Sequence, residues 1–173
     1  MGSEKPSVSR LVDESGAGPG RLATVALVVL RIGLGWIFFY SGLTKVLDPD
    51  WTASGYLTNA VPDGNPFAAL WPVLANVPLV DVLVQWGMVL TGVGLIVGAL
   101  VRWNAFWASF MMLTFWASSL PLENGLLVDS HVIYIIALTG VASLGVGRVA
   151  GFDGVIESTS LVKRHPRLRY LLG

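Results

Sequence analysis

A chain of 173 residues whose eleven basic and eleven acidic side chains cancel has no charge excess to draw it to nucleic acid. It is 54% hydrophobic and 13% charged, with a mean hydropathy of +0.68, whereas a soluble domain has roughly a quarter of its residues charged, so most of its surface has to meet lipid. Without cysteine it forms no disulfide, holds no iron–sulfur cluster and does no thiol chemistry.

Residues 1–21 are polar and rich in Gly, Ser and Pro, the composition of a disordered cytoplasmic leader. The apolar run that follows, over about 22–47, is too long for a signal-peptide core and reads as an uncleaved first span. In the loop from Asp48 to Val77, Asn65-Pro66 has the form of an N-cap and first helical position, and Phe67, Leu70, Trp71 and Leu74 then share a face. This predicts a short interfacial helix, against which Pro72 counts. Three more apolar runs, over about 79–100, 103–120 and 126–146, have the length of membrane-crossing helices, and Asp48-Pro49, Pro78 and Leu120-Pro121 punctuate them. The expected fold is all-α: an integral membrane four-helix bundle over 22–157, followed by a basic cytoplasmic tail, 158–173, suited to anionic headgroups.

Orientation follows from Lys and Arg, which are retained in the cytoplasm. Lys5, Arg10, Arg21, Arg102, Arg148, Lys163, Arg164, Arg167 and Arg169 all fall at one end of the spans, while the two opposite connections carry Asp48, Asp50, Asp63 and Glu123 and no basic residue. Both termini are therefore expected in the cytoplasm, in a multi-pass protein of the cell membrane. Trp51, Tyr56, Trp71, Trp103, Trp107 and Trp116 suit headgroup depth, and Gly87, Thr91, Gly94 and Gly98 form a small-residue stripe through which another helix backbone can approach.

Arg31, Gly35, Phe38, Gly42 and Lys45 recur on one face of the first span, which should turn inward. Arg31 lies ~13 Å beyond the inner boundary, where a charge needs a partner, and Thr91 and Thr139 reach a comparable depth, with Gln85 one or two turns higher; a helix-end carbonyl, water or ligand oxygen are the other options. A second polar layer near the outer surface combines Lys45, Asp81, Glu123, Asp129 and His131. The other histidine, His165, is in the tail, so the chain alone cannot supply two axial ligands to a transmembrane haem. Nor do the glycines of GVGLIVG stand between a strand and a helix, as a dinucleotide fingerprint requires. No cofactor is expected to be bound by this chain alone.

The stretches LRIGLGWIFFYSGLTKVLDP, WGMVLTGVGLIVGALVR and GVGRVAGFDG resemble the DoxX family of small four-helix membrane proteins, over roughly residues 25–157. The family's motif positions fall on Arg31, Gly42, Lys45, Gly145, Gly147, Arg148 and Asp153; Met88 stands where many relatives have an acid. The resemblance implies a membrane subunit passing reducing equivalents from a cofactor-bearing partner, with thiosulfate or another sulfur compound as donor, to the quinone pool. A quinone headgroup would then lie near Lys45, Asp129 and His131, with Tyr134 one turn below, Lys45 polarising a carbonyl and His131 delivering protons. A non-catalytic scaffold of a respiratory or stress-response complex is the alternative, and a transporter the third reading, without broken-helix pairs to support it. Membrane lipids and a protein partner are the expected associates, with a second copy of the chain left open.

Overall fold

The computed structural model describes residues 20–122 and 125–173, the side chain of Leu161 excepted. Nearly all of the leader expected at 1–21, including Lys5 and Arg10, and the expected outer-layer residue Glu123 lie outside the described residues. Among the described residues there is no strand: the elements are α1 (Arg21–Leu47), α2 (Ala53–Asn59), α3 (Trp71–Ala75), α4 (Pro78–Val97), α5 (Val101–Ser118), α6 (Ser130–Ser143), α7 (Val146–Val149), α8 (Phe152–Ser158), α9 (Ser160–Arg164) and a 3-10 turn at Pro166–Tyr170.

Apolar residues surround α1, but only Arg31, Leu34, Gly35, Phe38 and Gly42 are buried, the three-and-four spacing of a single inward face. That face meets α4 along a glycine seam. A Cβ at Gly92 would fall on the Phe39 backbone, and one at Gly42 would come within 2.7 Å of the Val89 amide, so the two helices approach as close as their backbones allow. The α1–α4 backbone contact thus runs through Gly92, beside the stripe read from the sequence, while Gly98 of that stripe is approached by the Gly151 backbone. Gly87 and Gly94 face Met111 and Asn104 of α5, and Gly98 ends α4 in the left-handed conformation at φ 70°.

α1 packs on α4, α4 on α5, α5 on α6 and α6 on α1, and all four contribute to one core that includes Phe38, Leu95, Ala108 and Leu138. Two of them, α1 and α4, are long and apolar enough to cross a membrane; α5 has 18 residues and α6 14. The second helix ends at Val97, not 100, because Gly98 and Leu100 both turn left-handed, and the third accordingly starts at Val101 rather than 103. The fourth is shorter than the expected 126–146. Asp129 accepts from the amides of His131 and Val132 and so caps the helix at its start, and Gly145 at φ 67° follows its last residues.

The helix expected from Asn65-Pro66 begins later. Residues 66–70 form turns and only Trp71–Ala75 is helical, with Pro72 in its first turn, where a missing amide is harmless. Asn65 does accept from the Phe67 amide at 2.8 Å as a cap would, but it also accepts from Trp71 Nε1 at 2.9 Å. Its Nδ2 donates to the carbonyls of Ala117, Ser118 and Leu120, which α5 leaves open at its end. Loop and helix terminus are thereby joined through one buried amide. α2, which the sequence reading did not anticipate, starts at a Thr52 cap and receives Asp81 Oδ1 on its Ala53 amide at 2.7 Å.

At the opposite end the tail folds back rather than lying apart. Trp103 N donates to Leu171 O, and Val162 and Leu172 are buried, while Lys163, Arg164, Arg167 and Arg169 stay exposed.

Candidate functional site

Charged side chains cluster at both ends of the helices. At the basic end Arg31 is buried, with Nη1 donating to Val146 O at 3.1 Å and Nη2 to Ala150 O at 2.7 Å; its Nε is buried with no partner among the described residues. None of Thr91, Thr139 and Gln85 holds it. Thr139 bonds Ile135 O on its own helix, and Gln85 donates to Lys45 O at 3.3 Å. The reason is directional: helical side chains lean toward the N-terminus, so the long Arg31 chain carries its charge well below the depth of its Cα, to the carbonyls around α7. Glycine at 98 makes room, since a Cβ there would lie 2.6 Å from Arg31 Nη1.

On the other side of the same turn Asp153 is fully buried and accepts from three amides, Leu100 at 2.6 Å, Val101 at 3.0 Å and Gly173 at 2.8 Å. It holds the orphan donors at the start of α5 and favours the positive end of that helix dipole, while its own amide donates to Gly98 O. Gly147 passes so close that a Cβ would meet Asp153 Oδ2 and Val101. Asp153 thus serves as a cap, and Arg148 does not pair with it. Arg148 Nε pairs with Glu157 at 2.8 Å, half-exposed, and Glu157 also meets Arg169 at 3.4 Å.

At the acidic end the structure divides the expected layer in two. Lys45 donates to Ser41 O at 3.1 Å, sits 5.6 Å over the Trp51 ring, and receives Gln85 on its carbonyl. Asp129 and His131 form the other set: Asp129 Oδ2 meets His131 Nδ1 at 2.6 Å, Phe115 stands edge-on to the imidazole at 6.4 Å, and Tyr134 packs against the core. Among the described residues no hydrogen bond or ion pair joins Lys45 to either, and none occupies His131 Nε2. Burial pushes the Asp129 carboxyl up, but the hydrogen bonds from the His131 ring and the Val132 and His131 amides, with the His131 charge, outweigh it and hold it below the usual carboxylate value. The signals that sequence reasoning missed are Asn65 and Trp71 as a buried pair, Glu157 as the acceptor of two arginines, and Asp81 as a ligand of the α2 start.

The DoxX family model matches residues 26–119, from the first turns of α1 to the end of α5. The chain belongs to the DoxX family. No curated protein and no solved structure matches it. The DoxX match takes in Arg31, Gly42, Lys45 and Met88, which is buried against Gly42, while Gly145, Gly147, Arg148, Asp153 and the Asp129–His131 pair lie beyond it. DoxX membership fits a membrane-associated chain with two helices of spanning length and composition.

Proposed function

We propose that this DoxX protein is a four-helix bundle crossing the cell membrane four times with both termini cytoplasmic, and that it is the membrane subunit of a quinone-linked oxidoreductase whose redox cofactors reside on a partner. The topology is supported by the outward faces of all four long helices, where Val29, Trp36, Leu83, Leu90, Phe106, Phe110, Ile133 and Ile136 are exposed. α6, with 14 residues, is the shortest of the four, and beyond the Gly145 break the chain continues into the helical turn Val146–Val149.

The observation behind the redox reading is the Asp129–His131 pair at the outer edge. A carboxylate fixes one imidazole nitrogen and the other is left uncommitted among the described residues, so an oriented imidazole offers one ring nitrogen to a ligand oxygen. Quinone reduction adds two electrons and two protons. In this reading the electrons come from the partner's redox centre, with a reduced sulfur compound as the original donor, and His131 passes protons to the quinone oxygens. Lys45 is engaged with Ser41 O and Trp51, so carbonyl polarisation by Lys45 is not part of the proposal.

The scaffold reading has its own support, because Arg31 and Asp153 act on helix-end backbone rather than on a cavity. Donor-dependent reduction of a soluble quinone by the purified complex separates the two. His131→Ala should abolish most turnover without loss of assembly, and Asp129→Asn should reduce it; parental rates in an assembled His131→Ala complex would leave the scaffold.

A further inference from the structure

Between α5 and α6, at the basic end, lies a shallow groove of about 440 Å³ whose lining includes neither Asp129 nor His131. Its walls are Ala105 and Phe106 of α5 and Ala142 of α6, with Ser109 and Thr139 further along and Arg102 at the basic end. Arg102 is half-buried, lines the groove, and donates from Nε to Ala142 O at 3.2 Å, which ties its guanidinium to α6. Among the described residues no hydrogen bond or ion pair takes up its two Nη groups.

The folded tail brings further cations to the same end. Trp103 N donates to Leu171 O and Gly173 lies beside the Arg102 side chain, so the tail that carries exposed Lys163, Arg164 and Arg167 is anchored at the start of α5. The result is an apolar channel on the outer face of two helices with positive charge at one end only. A neutral headgroup or a quinone carbonyl gains little from that field, whereas a phosphodiester fits a guanidinium with two free donors. From Arg102 to Ser109 the helix rises about 10 Å, enough for the upper part of one acyl chain to lie along the wall. We propose that an anionic phospholipid of the cytoplasmic leaflet occupies this groove, its phosphate on the Arg102 Nη groups and one acyl chain along Ala105, Phe106 and Thr139.

The site rests on the four-span reading, because Arg102 must lie at the depth of inner headgroups. Native mass spectrometry of the full chain in mild detergent, titrated with phosphatidylglycerol or phosphatidylcholine, tests it. The parent should retain phosphatidylglycerol about fivefold better than phosphatidylcholine, and Arg102→Gln should abolish that preference. Arg148→Gln, whose charge is paired with Glu157, should keep it. Because Arg102 also supports Ala142 O, Thr139→Phe provides a second variant that fills the groove away from the charge, and it should lower phosphatidylglycerol retention with Arg102 intact. Equal retention of both lipids by the parent, undiminished preference in folded Arg102→Gln, parental retention in Thr139→Phe, or a quinone recovered in place of phospholipid would each overturn the site. Cysteine labelling at Thr58 and Ser158 reads topology independently: lost selectivity with inside-only Ser158 overturns the lipid site alone, and labelling of Ser158 from outside overturns the topology and the site with it.

Discussion

Arg31 illustrates which part of a residue's role its sequence position discloses. The three-and-four spacing of Arg31, Gly35, Phe38 and Gly42 marks a buried face, and the face is buried. Depth counted along Cα positions pointed to Thr91, Thr139 and Gln85 as partners; of the expected options it is the helix-end carbonyl that forms, with the guanidinium on Val146 O and Ala150 O, in a turn whose path no local pattern gives. Arg31→Leu leaves both carbonyls without their donors in a buried turn and should cost about 3 kcal/mol, against about 1 kcal/mol or less for Lys45→Ala, whose ammonium is at the edge. Thermal unfolding in detergent measures the difference, and equal midpoints would remove Arg31 from the central role. Asp129 yields a pH dependence. Its carboxyl is held below the ordinary value in the folded chain, so its contribution is fully present above that ordinary value and is lost as pH falls through the folded one. Stability should therefore decline below about pH 4, and Asp129→Asn should be less stable at neutral pH and flatter on the acid side.

At the level of elements, hydrophobic periodicity located α1, α4 and α5 to within a few residues, because long apolar runs bounded by Pro and Gly leave little else for the chain to do. It misjudged α6 and the loop helices, where the ends are set by side chains acting on backbone amides: Asp129 at α6, Thr52 at α2. It left the α1 neighbour open, since a glycine in an apolar helix signals close approach without saying which neighbour approaches. The seam itself can be tested by contrasting two glycines. Gly92→Ala puts a methyl on the Phe39 backbone and should destabilise by about 1–3 kcal/mol, as overpacking does. Gly33 has open space around it on the exposed side of α1, so Gly33→Ala should be neutral or stabilise by about 0.5 kcal/mol through helix propensity. If the two variants unfolded together, the Gly92 contact would not be what fixes the α1–α4 spacing.

For the molecule as a whole, charge and apolar surface give the same axis. Arg21, Arg102, Arg148 and the cations of the folded tail stand at one end of the helices and Asp48, Asp50 and Asp63 at the other, while the large exposed apolar side chains belong mainly to the helices between them. Exposed Phe106, Leu83 and Ile136 would be a liability in water, and an asymmetry of this kind is what would retain the basic end in the cytoplasm in the proposed topology. The folded tail adds to this argument, because α8 keeps Phe152 and Val155 exposed on one side while Arg148 and Glu157 pair nearby, so the segment can rest on the membrane surface without crossing it. Cysteines placed singly in the natively cysteine-free chain read this directly. Thr58 is exposed on α2 and Ser158 at the end of α8, and neither position has the left-handed backbone that makes Gly125, at φ 90°, a poor host. In intact cells an impermeant maleimide should label Thr58→Cys and not Ser158→Cys, and permeabilised cells should label both. Reversal of that pattern would place the basic end outside, and labelling of both in intact cells would mean that an even number of segments crosses between them, which the three spans after α2 do not allow.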